Sequence, residues 1–540
     1  MSDNASTDTG AGLAEREVKP RQIIFAKSRE GTENHGAADR ECLVSSFKAR
    51  VKSSLSTPLT RDDIIEPHGI LEDVLDGIGL DLGASGASVA FSGKDPILKS
   101  PWPLATMGGV ALMAKAVAAA HLWNYRTGEE QSLSLDLRKV PHRLCPFYDA
   151  KWELINGYAP GLPHDPANPF WPTHMHPTRD GRWIQLFNVY PKAKTHALAF
   201  LNCADNYQSI AAVTRKWDAF ELEREANSRG LQATVVRSVE EFLETEQFAH
   251  LAPQPLIEIE KIGESDPIPF SPNPTAPLDG VRALGLGRVI AGAGLGRALS
   301  FHGADVVNIW RPGDFETDVA YHSAHVGMRS STVEFAQPEG RARFNALLRS
   351  ADVFFANRRP DYLRRHRLTA EELAEIRPGL VHVELSLFGP TGPWSGRTGF
   401  DQNAGGVSGI FAREGTLENP ALTEIFVVND YAMAWLSFLG VAIALRRRAE
   451  EGGSYRVRLS LARLSMWLLQ LGTFDKAYAH QIAHSPGDHA FLDPDTFTAE
   501  TPLGLYQGVT DLVQMSRTPG GYRTPLVPRG SSRPEWLEPA

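Results

Sequence analysis

Cysteine is scarce in this sequence: Cys42, Cys145 and Cys203 are the only three in 540 residues. So few and so scattered, they form neither a disulfide framework nor a metal-ligand pattern. As singletons they fit buried fillers better than nucleophiles. A basic excess is also missing. The net charge of −9 excludes the electrostatic footprint of a general nucleic-acid binder. No apolar run reaches the ~20 residues that a membrane span needs, so no membrane contact is expected. The first residues are polar and acidic, unlike a signal peptide or an Arg-rich transit sequence. Together with the few thiols this points to a reducing, cytoplasmic setting. His174 and His176 stand two apart between prolines, with no third ligand nearby, so no metal site is expected.

What remains is the composition of a globular protein, 42% hydrophobic and 22% charged. The length allows two to four domains. Residues 1–40 are polar and aperiodic and are expected to be disordered. The most informative stretch begins at Pro277. Val281 to Leu286 reads as a buried strand, followed by glycines at 292, 294 and 296. Leu295 to Phe301 has helical spacing, and Asp305 to Trp310 is a second apolar run. Strand, glycine turn, helix and strand begin a parallel, doubly wound sheet. A glycine turn that opens a helix cradles phosphate well, because backbone N–H groups and the helix dipole both favour an anion there. The second strand ends on Arg311, where a nicotinamide site would want an acid. Arginine suits a phosphate instead, such as the ribose phosphate of NADP or of coenzyme A.

A second pattern is repetition. Met107 to Trp123 is an alanine-rich, buried-type helix that Gly128 ends, and Ser132 to Leu137 alternates as a strand. Near the C-terminus, Tyr431 to Arg448, Gly452-Gly453 and Tyr455 to Leu461 repeat the phrase. Placing Gly128 on Gly452 aligns Leu112 with Leu436, Val117 with Val441, and Leu135 with Leu459. The match reads as a diverged internal duplication. Between the two copies, residues 257–275 read as a Pro-rich link. The last ~80 residues read as a loop-like tail, rich in Pro and Gly.

In the same alignment Asp430 falls opposite Thr106, so one copy has a carboxylate where the other has a hydroxyl. By residue type alone Asp430 suits an N-cap of the helix at Tyr431. The helix dipole there would favour its ionised form. Asp401 likewise suits a cap of the helix that follows it.

The stretch from Pro277 to Asp430 resembles the family III CoA transferases, named after CaiB and BaiF. The family's opening strand and turn read here PLDGVRALGLGRVIAG, and its second strand HGADVVNIWRP. Its RGKRS becomes Val326-Gly-Met-Arg-Ser330, its third strand ADVFFANRRPD, and its glycine-rich loop SLFGPTGPWSGRTGFD. HPTRDGRW, from His176 to Trp183, matches a motif of the family's smaller domain. The resemblance implies an α/β fold: a Rossmann-like CoA-binding domain plus a smaller α+β domain. With the duplication, the expected units are a first, partial copy over residues 41–270 and a second over 271–540.

The resemblance also implies chemistry. Asp430 stands where the family has its nucleophilic aspartate. Arg311, Asn357, Arg365, Gly292 and Asp401 match its coenzyme-side positions, while Arg358 replaces an aromatic residue. The implied substrates are an acyl-CoA thioester and a small carboxylic acid, with no tightly bound cofactor. The implied assembly is a homodimer or an intramolecular pseudo-dimer. Racemisation, the fold's other chemistry, uses a histidine where this chain has Phe400, between Gly399 and Asp401. A non-catalytic CoA-binding protein is the remaining alternative, since Met328 and Asp361 also depart from the family's motifs.

Overall fold

The computed structural model describes residues 37–538, apart from 62, 162–166 and 172. The tail expected to be disordered lies mostly outside these; its last residues, from Ala37, instead open a helix that runs to Ser56.

The elements that position the site are, in chain order, β1 (Ala87–Ser92), α1 (Leu104–Thr127), β2 (Gln131–Asp136) and β3 (Glu258–Gly263). There follow β4 (Arg282–Leu286), α2 (Ala291–Phe301), β5 (Asp305–Trp310), β6 (Arg329–Thr332), β7 (Val353–Ala356) and β8 (Val381–Ser386). Last come α3 (Asp401–Val407), α4 (Asp430–Glu451), β9 (Ser454–Ser460) and α5 (Leu461–Leu471). Seven strands form one sheet in the order β6-β5-β4-β7-β8-β9-β3. All its pairs are parallel except β9 with the edge strand β3. The central strands need apolar residues on both faces because helices cover both. β7 accordingly reads VFFA and is buried throughout.

The glycines at 292, 294 and 296 do not form a turn. All three lie inside α2, and the bend comes earlier, at residues 287–290. Their role is close approach. A Cβ on Gly296 would lie 2.1 Å from the Met328 sulfur and 2.9 Å from the Phe355 ring. One on Gly294 would meet Ala434 of α4 at 3.1 Å. Glycine therefore lets α2 pack tightly on both the sheet and α4.

α1 and α4 lie against one another at the centre of the molecule. Most of both helices is fully buried, and their alanines allow the close contact. α1 is long and apolar enough to cross a membrane, contrary to the reading of the sequence, but its apolar 18-residue stretch is packed entirely inside the protein. It ends as expected, on Gly128 with φ of 76°. β2 then pairs in parallel with β1, in a sheet separate from the seven-stranded one.

Two stretches read as loops are built structure. The presumed link supplies β3, in which Glu258 and Glu260 pair with Arg458 and Arg456 of β9. A boundary at residue 270 therefore separates β3 from the sheet it completes. The presumed loop-like tail begins with α5 and contains the hairpin Thr496–Thr501 and Gly504–Val509. It then returns to β2 through Gln514–Met515.

Asp511 anchors this tail to α1 through an ion pair with Lys115. Both residues are buried, and burial pushes the Lys115 ammonium down to about 8 although Asp511 holds it up. Removing one partner of a buried pair leaves the other charge uncompensated, at a cost of ~3–5 kcal/mol. Asp511→Ala should therefore lower the thermal midpoint sharply. The double variant Lys115→Met/Asp511→Leu should recover most of the loss; calorimetry on the three proteins checks this.

Candidate active site

In a doubly wound sheet, ligands bind beyond the carboxyl ends of the strands, where the strand order reverses. Here the reversal lies between β4 and β7. A cleft of ≈ 510 Å³ opens there, lined by residues that follow β4, β7, β8 and β9. Arg288 and Val289 come from the end of β4, and Asn357, Arg358 and Arg359 from the end of β7. Its floor reaches Asp430, the first residue of α4.

The cleft is strongly cationic. Asp314 sits among Arg288 at 2.7 Å, Arg311 at 2.9 Å and Arg358 at 2.9 Å. Burial pushes its carboxyl up, but the three guanidiniums more than offset this and hold it well below the usual range. One carboxylate among three guanidiniums leaves an excess of positive charge. The Arg359 guanidinium forms no hydrogen bond or ion pair with any described residue. Arg463, in the first turn of α5, is buried. Its Nε donates to the Gln254 carbonyl at 3.0 Å, while Nη1 and Nη2 have no hydrogen-bond partner among the described residues. Burial lowers its guanidinium to about 9.

Asp430 is 7% exposed. No described residue hydrogen-bonds its carboxylate. Burial raises its carboxyl well above the usual value, and the neighbouring Asp401 raises it further. Its place at a helix start agrees with the sequence, but burial and a like charge outweigh the dipole, so its carboxyl is raised rather than lowered there. The N-cap position itself belongs to Asn429.

Asp401 has a different task from the one the sequence suggested. It does not line the cleft. Its carboxylate accepts from Val428 N at 2.5 Å, from Asn429 N at 3.1 Å and from Asn429 Nδ2 at 2.7 Å. It therefore clamps the two residues that lead into Asp430. Burial raises its carboxyl, and these donors pull it back. With three donors against none, the Asp401 carboxyl is held lower than that of Asp430.

Three other expectations change. Gly292 does not line the cleft, and a Cβ there would meet Asn357 at 2.5 Å, so its bareness makes room for that side chain. Asn357 lines the cleft but spends its amide on Arg288, accepting from its N at 3.0 Å and donating to its O at 2.9 Å. It fixes the bend after β4. Arg365 points away from the cleft lining, with Nε 3.3 Å from the Asp361 carbonyl, while its neighbour Arg364 lines the cleft. Arg311 stacks at 5.0 Å on Tyr362 beside the cleft, tied to it through Asp314.

On the far side of Asp430 lies a smaller chamber of ≈ 80 Å³. Val289, Phe400 and Asp430 line both spaces. Val289 adopts φ of 56°, a conformation that costs a β-branched residue on the order of 1–3 kcal/mol. Glu316 holds it there, accepting from Val289 N at 2.8 Å and from the Tyr190 hydroxyl at 2.6 Å. Arg288, Val289, Arg359 and Arg463 escaped the reading of the sequence. A signal existed for Arg463, an arginine inside the otherwise apolar text LARLSMWLLQL; none marks the strained Val289.

The sequence model of CoA-transferase family III matches residues 278–508. The acetyl-coenzyme A transferase nodX of Hypoxylon pulicicidum is 29% identical over 329 residues, 56% of this chain and 55% of that protein. The succinate–glutarate CoA-transferase of Agrobacterium fabrum is 29% identical over 208 residues, 35% of this chain and 52% of that protein. The chain thus spans about half the length of the curated relatives it matches. Among solved structures, a CaiB/BaiF family protein from Brucella suis is 28% identical over 36% of this chain and 55% of that one, with a TM-score of 0.34.

Proposed function

We propose that the chain, whose residues 278–508 match the sequence model of CoA-transferase family III, moves CoA from an acyl-CoA thioester to a carboxylic acid, with Asp430 as the covalent carrier. The observation that carries this is the position of Asp430, a carboxylate that faces both a cationic cleft and an apolar chamber. The cleft suits the phosphates of CoA and the chamber suits the acyl group, so the thioester would lie at Asp430.

Asp430 first gives its proton to solvent, and from its ionised form the steps balance without a net proton. The Asp430 carboxylate attacks the thioester carbonyl; the C–S bond breaks, CoA thiolate leaves, and a mixed anhydride forms. The thiolate then attacks the aspartyl carbonyl and expels the donor acid as carboxylate. The aspartyl-CoA thioester is next attacked by the acceptor carboxylate, which releases the thiolate and forms a second anhydride. Attack of the thiolate on the acceptor's carbonyl gives the new acyl-CoA and restores Asp430. Dividing one exchange into such steps is covalent catalysis. The positive charge of the cleft stabilises the anionic intermediates. Proton exchange at the α-carbon is not favoured, because Phe400 occupies the triplet position and no histidine is among the described lining residues of either space.

Incubation with acyl-CoA and hydroxylamine tests the reading. Mass spectrometry should find a hydroxamate on Asp430; CoA transfer without modification of that residue would overturn the assignment. The coenzyme contacts are checked separately. Arg359→Ala should raise KM for acyl-CoA about tenfold with kcat little changed, the loss of one charge-assisted contact worth ~1.4 kcal/mol. Arg311→Ala should weaken CoA more than dephospho-CoA if Arg311 meets the ribose phosphate. Equal losses for the two ligands would place that phosphate elsewhere.

A further inference from the structure

The chamber behind Asp430 has its own chemistry. Six aromatic residues line it: Phe147, Trp171, Phe187, Tyr190, Phe400 and Phe426. Aliphatic side chains, among them Val289 and Val319, fill the gaps between them. None of its described lining residues is Arg, Lys or His. Two of its polar groups are engaged with the protein itself. The Tyr190 hydroxyl donates to Glu316 at 2.6 Å, and Gln402 Nε2 donates to the Phe426 carbonyl at 3.2 Å. Glu316, behind the Tyr190 wall, contributes acidity and no positive charge.

From this lining we infer that the chamber takes the hydrocarbon part of a short, uncharged acyl group, and that the enzyme discriminates against dicarboxylic acids. The inference rests on Asp430 being the group that receives the acyl carbonyl. A second carboxylate carried past Asp430 would enter a space with no cation to receive it, and burying an unpaired carboxylate is strongly unfavourable. Size sets the upper limit. A water takes up about 30 Å³ in the liquid, and a cavity of about 150 Å³ accepts benzene. A space of ≈ 80 Å³ therefore holds about three methylene-sized groups, which fits the side chain of butyrate or isobutyrate. Phe187, Tyr190 and Phe400 close it: the Phe187 and Phe400 rings are 4.3 Å apart, and Tyr190 lies parallel to Phe400 at 5.8 Å.

The test compares isobutyrate with succinate in two ways: kcat/KM as CoA acceptor, and binding of the free acid to the CoA-saturated protein by saturation-transfer NMR. Isobutyrate should exceed succinate by at least about a hundredfold in kcat/KM and should be the one that binds. Ala320, buried in the chamber wall, offers a way to fill it. Ala320→Phe should abolish isobutyrate binding and leave CoA binding in place. Val319→Arg, at a half-buried wall position, supplies the missing cation and should raise kcat/KM for succinate about tenfold. It keeps the test decisive if the bulkier variant fails to fold. Succinate matching isobutyrate in turnover and binding, or binding of neither acid, would overturn the chamber's assignment and leave transfer through Asp430 standing. Isobutyrate binding that Ala320→Phe removes, in a protein that transfers CoA from no donor, would support the chamber and overturn the transferase reading instead.

Discussion

Asp430→Asn is expected to abolish CoA transfer and to raise the thermal midpoint at neutral pH. Loss of the nucleophile removes every covalent step, so activity should fall at least about a thousandfold. CoA affinity should survive, because the arginines that line the cleft are untouched. The stability effect follows from linkage. The Asp430 carboxyl is raised above its unfolded value by burial and by Asp401. Its contribution to stability is therefore fully present below the unfolded carboxylate value, near 3.9. That contribution is lost as pH rises through the folded value. At neutral pH the wild type bears this loss, and asparagine, which cannot ionise, does not. The gap in thermal midpoint between variant and wild type should widen from pH 4 to pH 8. A merely structural cap at residue 430 predicts the reverse, a variant no more stable than the wild type at any pH. The combination of lost activity and gained stability marks a group held in an unfavourable state for function.

The second large effect is at Asp401. Asp401→Asn keeps the side-chain shape but replaces one acceptor oxygen with a donor. Val428 N and the Asn429 donors then share one oxygen, and a buried donor left unmatched costs ~1–3 kcal/mol. Turnover should fall by roughly ten- to a hundredfold as the clamp on Asp430 loosens. A pH profile separates this positioning role from simple destabilisation. Transfer requires ionised Asp430, so the acid limb of the wild type should lie above the ordinary carboxylate range. Without the Asp401 charge, the carboxyl of Asp430 should fall and the acid limb should move to lower pH. A limb that stays in place would show that Asp401 acts only through structure.

Much of the fold was legible because its signals are local. The apolar runs of β4 and β5, the helix of α4 and the Gly128 stop lie in contiguous text, and the structure forms them within a few residues of the expected bounds. Asp430 was singled out by the resemblance and by its place ahead of a long helix. The errors came where meaning depends on distant residues. Nothing local distinguishes a phosphate-cradling glycine from one that makes room for Asn357, Met328 or Ala434. The task of Asp401 is likewise set by Val428 and Asn429, brought to it only by the fold. Strand β3 was readable: Ile257 and Ile259 alternate with Glu258 and Glu260, yet the prolines that follow favoured a loop. Arg311 showed its charge in the sequence but not Asp314, which draws Arg288 and Arg358 to the same point.

The most direct measurement follows oxygen. Wild-type protein is turned over with unlabelled acyl-CoA and an acceptor acid carrying oxygen-18 in both carboxyl positions, and the peptide containing Asp430 is then analysed by mass spectrometry. Passage through the second anhydride leaves one acceptor oxygen on the aspartate, so Asp430 should acquire oxygen-18 in step with acyl-CoA formation. Transfer of CoA to the labelled acid while Asp430 retains only oxygen-16 would contradict the account.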